Sequence, residues 1–336
     1  MNINLSVLFI ALSIAATKIF CYVSRNTKLM DIPNERSLHC TPTVRGGGLV
    51  FISLFLLSLP VVGYYYHTSL VELGVLFFAV LFIALISFWD DMYNLSAKPR
   101  FAVQCLIAGL ISLTALPETL NFVLFTLANP YLIMGLTFFI TIWSINHFNF
   151  MDGLDGFCGS QALFLFFAYG LLFGINSAFF YQDLCWILVF GLIGFLIFNF
   201  PPAKLFMGDV GSATLGFISF YFALIGQQKY QIPIMYWFIL NGLFLFDATI
   251  TLLRRIYKRE KWFAAHRKHA YQRLKQYGFN TRLIILGQTC VNITLFAGVL
   301  LMQQKTILQN VIFVFCLSIL IVIYSLIEKL YPMFKE

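Results

Sequence analysis

Eleven blocks of about 17–24 predominantly apolar residues, each able as a helix to cross a hydrocarbon core of roughly 30 Å, occupy most of this chain. They run approximately 4–24, 47–67, 70–89, 101–117, 131–149, 157–178, 184–200, 211–228, 232–253, 283–303 and 306–327. The connections are mostly short and marked by Pro, Gly, Asn or charge, so no separate soluble domain fits between them. The expected fold is all-α, a single polytopic membrane domain over residues 1–336 with about 11 transmembrane helices. Composition agrees: 60% of residues are hydrophobic and 11% charged, against about 45–50% and 25% in soluble domains. The neutral stretch MNIN precedes the first block, and Lys18, Arg25 and Lys28 follow at its far end. A cleavable signal needs its positive charge in front, so this block reads as a retained span with the N-terminus outside.

With that start, alternate connections fall on the cytoplasmic side, and of 22 lysines and arginines only Lys229 and Lys305 fall outside. Lys18 lies within the first span, from which its long side chain can snorkel to the interface. The densest basic stretch is residues 254–282, and the C-terminus is placed in the cytoplasm. The formal charge of +8 is then a topology signal with some attraction to anionic lipid. Nothing else recommends nucleic acid as a partner. The seven cysteines are scattered with no C-x-x-C pair and no zinc spacing, which makes them packing residues.

Acidic residues are costly beside a bilayer, so their positions carry information. Asp90 and Asp91 end the third block, Asp152 and Asp155 follow the fifth, and Asp209 follows the seventh, all on the predicted cytoplasmic side. Five carboxylates converging on one face repel one another unless a cation or a proton offsets them. Mg²⁺, held by one or two carboxylates and substrate phosphates, suits such a set, with Mn²⁺ as the alternative ion. The runs Asp152-Gly153-Leu154-Asp155-Gly156 and Gly208-Asp209-Val210-Gly211-Ser212 place flexible backbone just before a helix, where phosphate is attracted. A lone D-G pair is only a turn signal.

The connection 254–282 contains His266-Arg267-Lys268-His269-Ala270-Tyr271-Gln272. If the run is helical, both histidines share a face, with Arg267, Lys268 and Arg273 nearby as phosphate partners; a basic segment lying on the membrane is the competing reading. The first cytoplasmic connection joins Arg36, His39 and Arg45 to the glycines 46–48, which either hold phosphate or form a turn. Asp247 falls inside the ninth block and reads as a buried helix contact outside the catalytic set.

Four motifs in order resemble the polyprenyl-phosphate N-acetylhexosamine-1-phosphate transferases. They are Asp90-Asp91 with Leu95-Ser96, Arg100 and Gln104; Asn146, Asn149, Asp152-Gly153 and Asp155-Gly156; Phe206-Met207-Gly208-Asp209 with Gly211-Ser212 and Leu215-Gly216; and the histidine run. The resemblance implies a ten- or eleven-helix fold in the bacterial cytoplasmic membrane, a cytoplasmic site below a groove for the lipid, and dependence on Mg²⁺. It implies a UDP-sugar donor, a polyprenyl (undecaprenyl) phosphate acceptor and a place at the start of cell-envelope polysaccharide assembly; a homodimer is one possible assembly, and the sequence does not reveal the oligomeric state. Catalytic roles are implied for Asp90, Asp91, Asp152, Asp155, His266 and His269, and metal ligation for Asp209 and Asp90. Substrate binding is implied for Asn146, Asn149, Arg45, Arg100, Gly208, Ser212 and Arg267. The H-R-x-H-x-Y-Q form departs from the three-histidine run of the peptidoglycan enzyme and is similar to the branch that starts O-antigen chains with a deoxy-N-acetylhexosamine. UDP-GlcNAc and UDP-MurNAc-pentapeptide are the alternative donors. A different class, an ion-coupled transporter, would place its acids near the bilayer midplane rather than at one face.

Overall fold

The computed structural model describes residues 3–33, 41–261, 264, 266–304 and 308–334. Arg36, His39 and Lys305 lie outside the described residues. The chain folds as α1 (Ile3–Val23), β1 (Met30–Asp31), β2 (Thr43–Val44), α2 (Gly48–Tyr65), α3 (Leu70–Tyr93), α4 (Ala97–Thr114), β3 (Leu120–Asn121) and β4 (Thr126–Leu127). It continues through α5 (Pro130–Phe150), α6 (Phe157–Ile175), α7 (Phe179–Asn199), α8 (Asp209–Tyr230), α9 (Ile234–Leu240) and α10 (Gly242–Tyr257). The short α11 (Ala270–Tyr277) and the long α12 (Thr281–Gln304) and α13 (Gln309–Leu330) complete it. The strands form two small antiparallel pairs, β1 with β2 and β3 with β4. The protein is an all-α polytopic membrane protein.

Among the described residues, nine helices are long and apolar enough to cross a bilayer, or ten if one bent pair counts as a span. Two of the eleven expected spans therefore differ from expectation. The block expected at 101–117 begins earlier, at Ala97, so α4 carries Lys98 and Arg100 in its first turn and is less apolar than its neighbours. The block expected at 232–253 is broken at Asn241, where α9 and α10 meet at 79°. A break inside a membrane frees backbone polar groups that lipid cannot satisfy. Here Gln161 Nε2 donates to the Leu240 carbonyl at 3.1 Å, and the buried Asn241 Nδ2 donates to His147 Nε2 at 2.7 Å. Because His147 Nδ1 faces the Trp143 carbonyl at 2.9 Å, Nδ1 carries the proton and Nε2 is free to accept.

The centre of the bundle is α8, with 94% of its apolar window buried, whereas α1 and α13 are 17% buried and face outward. Small residues make this possible: Gly211, Ser212, Ala213, Gly216, Ser219 and Ala223 let neighbouring backbones close on the helix. A Cβ at Gly216 would stand 2.3 Å from the Ser144 carbonyl oxygen of α5. Charge sits at the two ends of this bundle. Glu72, in the first turn of α3, pairs with Lys229 in the last turn of α8 at 2.6 Å. The opposite ends of the same two helices carry Asp90, Asp91 and Asp209.

Candidate active site

Helix α3 stops in a left-handed turn at Asn94, φ 49°, whose N–H donates to the Asp90 carbonyl at 2.8 Å. That stop holds Asp91 against the start of α8. The two Asp91 oxygens accept the backbone N–H groups of Asp209 at 3.0 Å and Val210 at 3.1 Å. One helix thus supplies the N-terminal cap of another, and the carboxylate lies at the positive end of the α8 dipole. Gly208 precedes at φ 75° and ψ 169°, a conformation open to glycine alone, and a Cβ there would lie 2.5 Å from Asp91 Oδ2 and 2.7 Å from Gly46 N.

The glycines of the first connection prove to be packing residues. Gly47 and Gly48 donate to the carbonyls of Phe206 and Met207 at 2.9 and 2.8 Å, and Phe206 N donates to the Val44 carbonyl at 2.8 Å. A Cβ on Gly48 would sit 2.3 Å from Gly211 Cα. The N–H groups of Gly47 and Gly48 are already used, so these two glycines serve close backbone approach rather than a phosphate cradle.

Arg100 bridges Asp90 and Asp209: Nη1 pairs with both carboxylates, at 2.8 Å to Asp209 Oδ2. Its Nε is buried with no partner, as is the Nε of Arg45, whose Nη2 donates to Asn94 Oδ1 at 3.1 Å. Asp155 Oδ2 accepts the Ala203 N–H at 3.0 Å and ties the α5–α6 turn to the α7–α8 turn. Asp152 differs from all of these. Among the described residues its carboxylate accepts no hydrogen bond, and burial, then the neighbouring charges of Asp209, Asp91 and Asp155, push its pKa well above the ordinary carboxylate range.

These groups surround a polar cleft of about 350 Å³ lined by Asp91, Asp152, Asp155, Gly208, Asp209 and Arg45, and also by Asp31, Gln272 and Lys275. Of the expected site residues, Asp90 and Arg100 stand next to this lining through Asp209, while Asn146, Asn149, Ser212, His266, His269 and Arg267 are not part of it. Asn146 Nδ2 donates to Gln104 Oε1 at 2.8 Å, and Asn149 Nδ2 donates to Ser212 Oγ at 3.2 Å and stands against the Asp209 carboxylate.

The histidines do not share a helical face as expected, because the helix begins only at Ala270 and His269 is its N-cap. Their rings are still 4.8 Å apart. His269 is buried, stacks on Phe150 and Tyr271, and lies 3.5 Å from Asp247 through Nδ1. Asp247 also accepts the Ala270 N–H at 2.9 Å and the Thr251 hydroxyl at 3.0 Å. The residue set aside as a helix contact therefore anchors the histidine connection to α10. His266 accepts the Lys268 N–H at 3.1 Å; burial, then His269, Arg255 and Lys268, push its pKa down to about 3, so it is neutral near pH 7.

Among the described residues, no group of three His, Cys, Asp or Glu side chains is arranged to hold a metal ion. The expected metal pair, Asp90 and Asp209, is joined by the Arg100 guanidinium. The donor set nevertheless fits a hard divalent cation, since Asp152 and Asp209 offer carboxylate oxygens to one cleft and Asp152 lacks a protein donor. Mg²⁺ is commonly held by two carboxylates completed by substrate phosphates and water. Lys275 and Asp31 were missed by sequence reading, and Gln272 was read only as the end of the histidine run. The available signal was the i, i+3 spacing of Gln272 and Lys275, which puts them on one face of α11.

The sequence profile described as glycosyl transferase family 4 matches residues 73–227, which contain the ends of α3, α5 and α8 that build the cleft. The chain is 27% identical over 300 residues to a probable undecaprenyl-phosphate N-acetylglucosaminyl 1-phosphate transferase of Bacillus subtilis, with 86% of this chain and 82% of that protein covered. It is 27% identical over 294 residues to the undecaprenyl-phosphate alpha-N-acetylglucosaminyl 1-phosphate transferase of Escherichia coli, covering 83% and 76%. It is 30% identical over 281 residues to a phospho-N-acetylmuramoyl-pentapeptide-transferase of Prochlorococcus marinus, covering 75% and 74%. With similarity running through most of both chains and through every helix end that bears a cleft carboxylate, this protein belongs to glycosyl transferase family 4.

Proposed function

We propose that the protein transfers a sugar 1-phosphate from a UDP-sugar to a polyprenyl phosphate and releases UMP. The observation that carries this reading is the placement of α11. One of its faces, Gln272 and Lys275, lines the carboxylate cleft, and another, Tyr271 and Leu274, lines an apolar cavity of about 530 Å³ between α10, α12 and α13. An acceptor with a phosphate head and a long hydrocarbon tail needs both environments side by side. Relatives named for undecaprenyl phosphate support the acceptor.

In the reaction an oxygen of the lipid phosphate attacks the β-phosphorus of the UDP-sugar, the bond from that phosphorus to the bridging oxygen breaks, and UMP departs with the electron pair. Little covalent chemistry is required of the protein, so positioning and charge neutralisation supply the rate. Arg45 and Lys275 line the cleft and Arg100 adjoins it through Asp209, so these cations are placed to meet phosphate charge, and Asp91 fixes the start of α8 beside them. Mg²⁺, held by Asp209 and Asp152, would neutralise the diphosphate. Both oxygens of Asp91 are used by backbone N–H groups, whereas the Asp152 carboxylate accepts no hydrogen bond among the described residues and is open to a cation in the cleft.

The basic connection 254–282 meets the same end of the bundle as the cleft, because Tyr271 donates to the Phe150 carbonyl at 3.1 Å and Lys275 lines the cleft. The positive-inside rule then supports a cytoplasmic site with the N-terminus outside. The H-R-x-H-x-Y-Q run favours a deoxy-N-acetylhexosamine donor. A transporter reading loses ground, since these carboxylates sit at helix ends rather than at mid-bilayer breaks.

The test is UMP release by purified protein given polyprenyl phosphate and a panel of UDP-N-acetylhexosamines, with and without Mg²⁺, beside Asp209→Asn. Mg²⁺-dependent release with one donor, lost in the variant, is the expected result. Folded protein releasing no UMP from any donor would overturn the proposal.

A further inference from the structure

Three faces of α11 meet three different surroundings. Tyr271 and Leu274 face the apolar cavity, Gln272 and Lys275 face the acidic cleft, and Arg273 points back toward α13. Lys275 is half-buried in a cleft with several carboxylates, yet among the described residues its ammonium has no hydrogen-bond or ion-pair partner. A lysine left unpaired beside acids, when the other cleft cation Arg45 already bonds to Asn94, is poised for an anion that the cleft receives.

The back of α11 is fixed more firmly than its length of eight residues requires. Arg273 is 1% exposed and its Nη1 donates to Glu328 Oε2 at 2.6 Å and to the Tyr331 carbonyl at 2.9 Å. Glu328 also receives two hydrogen bonds from Arg254 of α10, at 2.6 and 2.8 Å, and the Met333 N–H at 3.1 Å. One carboxylate on the last helix therefore locks α10, α11 and the C-terminal turn together. Turning α11 about its axis would bring a different face to the cleft, so this lock sets where Lys275 points.

We propose that Lys275 is a substrate-binding residue for the diphosphate of the donor nucleotide and that Glu328, acting through Arg273, is its positioning residue. This rests on the UDP-sugar reading given above. Lys275 makes its contact with the distal phosphate, so the nucleoside diphosphate gains from it and the monophosphate gains little. Glu328 touches no substrate, and its removal loosens α11 as a unit.

The experiment measures UDP and UMP affinity by calorimetry, with Mg²⁺, for the full chain and for Lys275→Gln, Lys275→Arg, Glu328→Gln and Glu328→Asp. Lys275→Gln is expected to weaken UDP at least tenfold and UMP less than threefold, with Lys275→Arg recovering most of the loss. Glu328→Gln is expected to weaken UDP about three- to tenfold and to speed amide hydrogen exchange across 270–277 while leaving the 209–210 amides unchanged; Glu328→Asp recovers part of both. UDP binding by Lys275→Gln at wild-type strength overturns the binding role, and unchanged exchange over 270–277 in Glu328→Gln overturns the positioning role. A wild-type chain that binds neither UDP nor UMP removes the donor reading itself and this proposal with it.

Discussion

Asp152 is a carboxylate without a protein donor among three like charges, so its ionised form is strained by its surroundings. Replacing it with Asn removes that repulsion. Asp152→Asn is expected to raise the melting temperature measured without divalent cation while lowering UMP release at least a hundredfold, the exchange of stability for function common at charged sites. A melting temperature equal to or below that of the parent would contradict the repulsion. The pH dependence follows from the raised pKa: the folded chain holds a proton that the unfolded chain releases near its ordinary pKa of about 3.9. The stabilisation is complete below that value and is lost as pH rises through the folded pKa, so Asp152→Asn flattens the slope above about pH 4. His266 works in the other direction. Its folded pKa of about 3 lies below the ordinary value of 6.5, so stability present above 6.5 falls as pH drops toward 3, a loss that His266→Gln should remove in a melting series. At Gly208 the positive φ and the crowding by Asp91 make Gly208→Ala cost at least about 1–3 kcal/mol, read as a lower melting temperature together with lost UMP release.

At the scale of elements, α11 depends on Asp247, which satisfies the Ala270 N–H from the neighbouring α10. Asp247→Ala leaves a buried donor unpaired and is expected to cost about 1–3 kcal/mol in stability, with UMP release falling at least tenfold. Asp247→Asn keeps an acceptor oxygen and should lose less on both counts; equal losses in the two variants would mean that the charge, not the hydrogen bond, is what matters. The helices themselves were legible from apolar length, because a bilayer permits few alternatives. The break at Asn241 was not, since Asn241 and Gly242 disturb a hydrophobic run only slightly while Gln161, distant in sequence, satisfies the opened Leu240 carbonyl and His147 accepts the Asn241 side-chain amide. Nor was the capping of α8 by Asp91, which needs two helix ends more than a hundred residues apart to meet.

Across the whole molecule, the central spans α3 and α8 carry acids at one end and the Glu72–Lys229 pair at the other. Lys229 is the exposed partner, so the ion pair contributes about 0–1 kcal/mol, while the mostly buried Glu72 also accepts the Tyr181 hydroxyl, a bond that the amide oxygen of Gln can keep. Glu72→Gln should therefore shift the melting temperature slightly and leave UMP release at the parental rate; a large loss of turnover would show that the two ends of the bundle are coupled.

Apolar block length, the asymmetry of Lys and Arg and the order of the acidic motifs are properties of the linear chain, and they were enough to determine an all-α membrane fold, its family and the helix ends that gather at the acidic cleft. Only tertiary structure decided what each carboxylate does there. Asp91 became a cap, Asp155 a tie to Ala203, Asp90 a partner of Arg100, and Asp152 alone was left without a donor. It also brought Lys275 into the cleft and took the histidines out of its lining. The physical reason is that hydrogen bonds and burial depend on which helix ends approach within about 3 Å, and that distance is set by glycine contacts such as Gly48 on Gly211 rather than by residue type alone.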